Sequence, residues 1–356
     1  MKVLFTGGGS GGHVIPNIAI IGKLKELMKD KDLELVYIGS KTGIEKELIE
    51  GLGIPYKEIA TGKLRRYLSM QNVKDFFNVF KGISEAKKII KEEKPDVVFS
   101  KGGFVSVPVV FGAKKNHVPV IIHESDMTPG LANKLAMPKA DKVCVTFPET
   151  LNMVSKSKGV LTGSPVRAEI LKGSREKGLS NLGFNDNKKV ILVIGGSLGS
   201  VALNTAVKEN LDVLLKDYQI VNICGKGKMD ESINREGFRQ FEYIGEGLED
   251  VFAASDIVIS RAGAGSIYEL LALEKPNILI PLSKKASRGD QILNANSFTK
   301  QGFSLMLEEE DVNEKSLLEK IKELESKENE FKENMKKTKL KDAAGEIAKL
   351  IASYEK

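Results

Sequence analysis

Cysteine is scarce in this chain of 356 residues: Cys144 and Cys224 are the two present. Two thiols so far apart build neither a disulfide framework nor a cysteine-rich metal site, and a reducing compartment fits. No run of 18 or more apolar residues occurs, which excludes a membrane-spanning helix. The opening MKVLFTGGGSGG reads as a strand entering a turn, not as a signal peptide. No G-x-x-x-x-G-K-[ST] element exists, so a P-loop nucleotidase is excluded. Neither a metal nor a cofactor is expected.

What is there is an ordinary globular balance, 41% hydrophobic and 29% charged, which rules out disorder as the main state. The length suggests two domains at about 150 residues each. Net charge is +6, and it is unevenly placed. Residues 62–94 hold nine basic groups against four acidic ones, nearly the whole excess. Leu64, Leu68, Phe76, Phe77, Phe80 and Ile83 interleave with Arg65, Arg66, Lys81 and the other cations there. Such a stretch is either a packed helix with a solvated basic face or a surface for anionic lipid. No recognition motif accompanies it, so nucleic acid is not expected as a partner.

The apolar run Lys2–Thr6 ends in glycines, and after Pro16 the residues Ile20, Leu24, Leu27 and Met28 keep helical spacing. Pro16 suits a first helical turn. With Leu33–Ile38 as the next strand this is a βαβ unit. The plan restarts at residue 189, with Val190–Ile194 as strand, a glycine turn through Ser200, Val207, Leu211, Leu214 and Leu215 as one helical face, and Gln219–Cys224 as strand. Further strands are expected at 96–100, 118–123 and 142–146, then at 241–244, 256–260 and 276–281. Parallel sheets covered on both faces follow. The polar segment 172–189 reads as a connection, and Ala343, Ile347, Leu350 and Tyr354 as one face of a final helix.

Ligands of such sheets lie beyond the carboxyl ends of the strands. Gly7, Gly9 and Gly12 match G-x-G-x-x-G, but the second strand of each half ends without the acidic residue that a dinucleotide ribose needs, which argues against NAD. Ser266 and Glu269 have the spacing of a capping box, the reading the spacing alone favours, and a compatible one is a cradle for a nucleotide with Glu269 on the ribose. His13 closes the first glycine loop, either bonding near the helix start or serving as general base or phosphate contact. His123 and Glu124 end a strand on the same edge, whereas His117 precedes that strand on the opposite edge.

Taken together, residues 7–16, 94–98, 102–106, 123–125, 163–167, 195–199 and 261–269, with Asp290, Gln291, Asn294 and Ala295, resemble a known family in order and over essentially the whole chain. It is the peptidoglycan N-acetylglucosaminyltransferases of glycosyltransferase family 28, which convert lipid I to lipid II. The resemblance implies an α/β GT-B fold: two doubly wound Rossmann-like domains facing a central cleft. They would span residues 1–163 for the acceptor and membrane and 164–335 for UDP-GlcNAc, with a helix from 336–356 returning to the first. It implies that Ser10, Gly11 and Gly12 line the cleft near the sugar and diphosphate of UDP-GlcNAc, that Arg167 and Ser197 contact the donor, and that Ile244 meets the uracil through its backbone. Ala264, Gly265, Ser266 and Glu269 would hold diphosphate and ribose, and Gln291 the sugar.

Asp126 stands where some members carry a donor-contacting Asn. The stretch 283–288 is longer than in those members, which leaves Asp290 as an alternative to Gln291. The chemistry implied is inverting displacement, with His13 as base ahead of His123 and Glu124. The partners implied are UDP-GlcNAc, lipid I and an anionic membrane surface, with the protein peripheral on the cytoplasmic face of the membrane. Other readings are a diacylglycerol glucosyltransferase, a UDP-GlcNAc 2-epimerase, or a non-catalytic sugar-nucleotide-binding protein at the membrane surface.

Overall fold

The computed structural model describes residues 1–355 except 10, 63–69, 197–198 and 285–288, and not the side chains of 70–76. Ser10, Leu64, Arg65, Arg66, Leu68 and Ser197 therefore lie outside the described residues, as does the side chain of Phe76. The chain divides into two compact units, Met1–Val166 with Asp342–Lys356, and Arg167–Lys341.

The first unit runs β1 (Lys2–Thr6), α1 (Gly11–Leu27), β2 (Glu34–Ser40), α2 (Ile44–Glu50), β3 (Tyr56–Ile59), α3 (Met70–Glu93), β4 (Val97–Ser100), α4 (Ser106–Lys115), β5 (Val120–Glu124), α5 (Leu131–Ala136), β6 (Lys142–Val145) and β7 (Gly159–Leu161). Its strands are all parallel, in the order β3-β2-β1-β4-β5-β6-β7. Val3, Phe5, Val97 and Phe99 bury one face, and Leu4, Val98, Val120 and Ile122 the other. Both faces are covered, as continuous apolar strands require.

The second unit runs α6 (Arg175–Leu182), β8 (Lys189–Ile194), α7 (Val201–Glu209), α8 (Leu211–Asp217), β9 (Tyr218–Ile223), β10 (Phe238–Phe241), α9 (Leu248–Ala254), β11 (Ile257–Ser260), α10 (Ala264–Ala272), β12 (Asn277–Leu279), α11 (Asp290–Lys300), β13 (Leu305–Met306), α12 (Glu314–Ser326) and α13 (Glu328–Lys337). Its parallel sheet has the order β10-β9-β8-β11-β12-β13. In each unit the strand order reverses beside the first strand, at β1/β4 and β8/β11. That is where a doubly wound sheet opens a crevice for ligands. The chain then returns to the first unit as α14 (Ala343–Ala352), whose Ala344, Ile347, Ala348 and Ile351 pack with Ile20, Ile21 and Leu24 of α1. Asp342 caps α14 through the Gly345 N–H at 3.1 Å.

Several elements differ from the sequence reading. Helix α1 starts at Gly11, so Pro16 lies inside it rather than in its first turn. The ring is tolerated because the carbonyl it would crowd belongs to Gly12, which is exposed to water. Leu27 is exposed, while Ile20, Leu24 and Met28 are buried. The helix expected through 207–215 is two, broken at Asn210, whose buried Nδ2 donates to the Ala206 carbonyl at 2.8 Å. Segment 172–189 holds α6, capped by Ser174 and closed by Gly183 in the left-handed region. The strand expected at 241–244 lies three residues earlier, so Tyr243 and Ile244 fall on the loop that follows it.

Candidate functional site

In the second unit the loops beyond the strands enclose a cavity of about 220 Å³. Ile223, Leu248, Phe252 and Leu270 form its apolar wall, and Arg167, Ser260, Ser266 and Glu269 its polar side. Ile244 and Tyr243 sit at the mouth, with Tyr243 76% exposed. One flat apolar slot and a few converging polar groups suit a heterocycle carrying a hydroxylated, anionic tail.

The polar side is organised by α10. Glu269 accepts from Arg167 Nε at 2.9 Å, and Arg167 Nη2 lies 2.9 Å from the same oxygen. Burial pushes the Glu269 carboxyl up, and the Arg167 guanidinium only partly opposes it. The spacing of Ser266 and Glu269 is not a capping box here. The cap position is Gly263 and no side chain caps the helix, because α10 begins at Ala264. Ala264, Gly265 and Ser266 therefore form the first turn, whose backbone N–H groups have no acceptor within the helix and can meet an anion. Tyr268 anchors the helix from behind, edge-on to Phe298 at 5.1 Å.

Gln291 and the Gly199 turn are not among the residues lining this cavity. Gln291 Oε1 accepts from the Leu282 N–H at 3.0 Å, so its donor Nε2 is what it can offer a sugar hydroxyl. Asp290, the first residue of α11, is exposed beside it. The glycine loop after β8 packs on the turn after β9, and a Cβ on Gly199 (φ 67°) would lie 1.9 Å from the Cys224 carbonyl oxygen. Sequence reasoning gave no role to Arg261, which braces this corner. It donates to the Ile280 and Pro281 carbonyls at 3.1 and 3.2 Å and to Ser200 Oγ at 2.6 Å, and pairs with Glu309. A cation directly at the end of an apolar strand was the available signal.

In the first unit the glycine loop is held from beneath. Tyr37 donates its hydroxyl hydrogen to the Gly7 carbonyl at 2.6 Å, and the buried Glu45 accepts from the Gly9 N–H at 3.2 Å and from Ser40. Gly11 and Gly12 form the first turn of α1. His13 follows, half-buried, with Nδ1 enclosed and without a partner. Burial, then the charge of Lys101, lower its pKa to about 4, so the imidazole is neutral at physiological pH and can accept a proton. Gly103 (φ 84°) abuts this ring; a Cβ there would meet Gly8 O at 2.5 Å and His13 Cδ2 at 3.2 Å.

His123 and Glu124 are placed differently from His13. His123 is wholly buried with Nε2 2.9 Å from the Gly163 carbonyl, and burial holds its pKa well below the usual range. Glu124 accepts from the Asp126 and Gly130 N–H groups at 2.9 and 3.1 Å and from Asn133 Nδ2 at 2.9 Å. Both are buried and shape the turn after β5, whereas His13 is only half-buried. Asp126 is exposed on that turn. On α3, Phe77 and Phe80 are 68% and 57% exposed beside the exposed Lys81, whereas Ala86 and Ile90 enter the core. Among the described residues no group of three His, Cys, Asp or Glu side chains could hold a metal ion.

Two doubly wound parallel sheets, one with a nucleotide-sized cavity at a helix N-terminus, define the GT-B class of glycosyltransferase folds. A crystal structure of MurG from Acinetobacter baumannii superposes with a TM-score of 0.73 at 24% identity over 99% of both chains. A UDP-GlcNAc 2-epimerase from Neisseria meningitidis bound to UDP-GlcNAc gives 0.69 at 14% identity over 99% of both chains. At such identities these likenesses establish the fold. Residues 3–145 match the glycosyltransferase family 28 N-terminal domain and residues 190–351 its C-terminal domain. The chain belongs to glycosyltransferase family 28. It is 58% identical over 99% of its length to the UDP-N-acetylglucosamine–N-acetylmuramyl-(pentapeptide) pyrophosphoryl-undecaprenol N-acetylglucosamine transferase of Clostridium tetani, covering 98% of that protein. It is 56% identical over its whole length to the Lachnospira eligens protein of the same name, covering 99% of it.

Proposed function

We propose that this chain transfers N-acetylglucosamine from UDP-N-acetylglucosamine to the C4 hydroxyl of undecaprenyl-diphospho-N-acetylmuramoyl-pentapeptide, lipid I, giving lipid II for peptidoglycan synthesis. The observation that carries the reading is the 58% identity to the Clostridium tetani transferase along nearly the full length of both chains. The second unit takes the donor. Uracil enters the slot beside Phe252 with the Ile244 backbone at its edge, the ribose meets Glu269, and the diphosphate lies at the first turn of α10. Arg167 exchanges Glu269 for the diphosphate charge, and Gln291 donates to the sugar.

The first unit takes the acceptor at the edge carrying Gly11, Gly12 and His13. The acceptor oxygen forms the new bond to the anomeric carbon from the side opposite the diphosphate, with inversion. The bond from that carbon to the diphosphate breaks, and UDP leaves with the electron pair. The hydroxyl proton passes to the neutral imidazole of His13, the general base. The α10 N-terminus and Arg167 stabilise the departing charge.

The polyprenyl acceptor puts the reaction at a membrane. Phe77, Phe80 and Lys81 on α3 suit peripheral attachment to anionic lipid. No helix among the described residues is long and apolar enough to cross a membrane.

The test is transfer of labelled N-acetylglucosamine into a lipid I analogue, with UDP-glucose as control donor. Label in the lipid fraction from the N-acetylated donor alone is expected, and a His13→Ala variant should lose about 10²–10⁴-fold in kcat. Equal use of both donors refutes the specificity, and absence of transfer refutes the activity.

A further inference from the structure

The second strand of the first unit ends at Ser40 without the acid that a dinucleotide ribose needs, yet an acid reaches that place from the next element. Glu45, in the first turn of α2, is wholly buried, and its carboxylate is turned onto the chain's own donors. One oxygen accepts from the Ser40 N–H at 3.2 Å and from the Ser40 hydroxyl at 2.5 Å, and the other from the Gly9 N–H at 3.2 Å. Two glycines leave the room it fills: a Cβ on Gly8 would lie 2.4 Å from Oε1, and one on Gly43 2.0 Å from Oε2. A buried carboxylate is tolerated only where donors surround it. Here those donors join the end of β2 to the first glycine loop.

Other contacts meet the same loop. The Tyr37 hydroxyl holds the Gly7 carbonyl, and a Cβ on Gly9 would lie 2.4 Å from the Phe104 ring. Gly9 is itself in the left-handed region (φ 87°). Glycine visits that region and many others with little cost, so its partners must hold it there. The bond from Glu45 to the Gly9 N–H is a hold of that kind, set two residues before α1 begins.

We propose that Glu45 is a positioning residue of the transfer reaction: its buried carboxylate spans from the end of β2 to the Gly9 N–H and fixes the loop that sets where Gly11, Gly12 and His13 open α1. The inference rests on those three residues receiving the acceptor in the function proposed above. Being enclosed, the carboxylate meets no substrate and acts through the loop alone. The leverage is large, because an attacking oxygen must meet the anomeric carbon in line, and a misplacement of about 1 Å costs on the order of 10²-fold.

The experiment separates reach from charge. Glu45→Asp keeps the charge but withdraws it by one methylene from Gly9. Glu45→Gln keeps the reach: its oxygen can accept from the Gly9 N–H while its amide donates to the Ser40 hydroxyl. With the lipid I analogue as acceptor, Glu45→Asp should lower kcat/KM for the acceptor about 10–100-fold. Glu45→Gln should stay within about threefold of the parent. UDP affinity by calorimetry should be unchanged in both, since the second unit is untouched. A lowered Tm with unchanged acceptor kinetics would make Glu45 a structural residue only and overturn the proposal. A glutamine variant as impaired as the aspartate one, or an equal loss of UDP affinity, would overturn it too.

If Glu45→Asp fails to fold, Ser40→Ala removes one of the bonds that orient the carboxylate and should lower the same constant about 3–10-fold; no change overturns the proposal. A parent that transfers nothing refutes the proposed function and this role with it, whereas an active parent matched by its variants refutes the role of Glu45 alone.

Discussion

Replacing Arg261 by methionine tests how the second unit holds the cavity proposed for the donor, because Arg261 is not among the residues lining it. The substitution keeps the stem and deletes bonds to Ile280 O, Pro281 O and Ser200 Oγ and the pair with Glu309. Breaking one partner out of a buried ion pair costs about 3–5 kcal/mol. The lower end applies, since Glu309 is 18% exposed at its side chain and keeps the Ser283 N–H at 3.2 Å. A loss of about 3 kcal/mol lowers the folding constant roughly 150-fold. With no tryptophan in the chain, urea unfolding is best read by circular dichroism and tyrosine emission, and the transition of the second unit is the one that UDP shifts upward. UDP affinity should fall as well, because Ser200 and Pro281 are no longer tied together. Arg261→Met with Glu309→Gln should recover about 1 kcal/mol, the carboxylate being no longer buried unpaired. A single-variant loss under about 1 kcal/mol, or a double variant as unstable as the sum of the singles, would refute the bracing argument.

Glu269→Gln should weaken UDP binding about tenfold by calorimetry, the difference between a charged and a neutral acceptor for ribose hydroxyls; unchanged affinity would remove Glu269 from the site. Since burial raises the Glu269 pKa, the parent's UDP affinity should also decline on acidification before an ordinary carboxylate titrates, and the glutamine variant should lack that decline. Ile347→Ala, opening space between α14 and α1, should cost about 2–4 kcal/mol in the first unit's unfolding transition and leave UDP affinity intact. Lys275 is half-buried, its Nζ donating to the Ser255 carbonyl at 2.5 Å, and desolvation lowers its pKa from 10.5 to about 8. Between those values the unfolded chain binds more protons, so this group makes stability rise with pH from about 8 to 10.5. Lys275→Met should flatten that rise in a series of melts, and an unchanged slope would count against the assignment.

The strands at the centre of both sheets were legible because they are buried on two faces and so read as unbroken apolar runs. The edge strands β3, β7 and β13 escaped notice. Tyr56–Ile59 buries only Ile59 and exposes both Lys57 and Glu58, so it shows neither an apolar run nor an alternation, and Leu305–Met306 is too short to carry a pattern. Helix α6 was hidden by its polar surface, with only Leu179 and Leu182 as apolar anchors, although Ser174 and Gly183 were written as its start and stop. At the proposed site, the glycine loops and His13 stood out because small or polar residues at strand ends have little packing to do, Glu269 because it follows a small-residue turn, and the donor role of Arg167 came only with the family resemblance. Arg261, Lys101 and Glu45 did not stand out. Their partners lie 48, 24 and 36 positions away along the chain, at Glu309, Ser125 and Gly9, and no local pattern encodes such a meeting. The Ser266–Glu269 spacing misled for the opposite reason, since it fits a local cap while the helix begins two residues earlier.

The return of α14 to the first unit has a consequence for biosynthesis. The Ile20–Leu24 stripe of α1 waits for Ile347 and Ile351, which are translated after the entire second unit. At ribosomal speeds of about 5–20 residues per second the nascent chain carries that stripe uncovered for on the order of ten seconds or more. During that interval the face that α14 covers is open, and the first unit's core is complete only once the later half has been made.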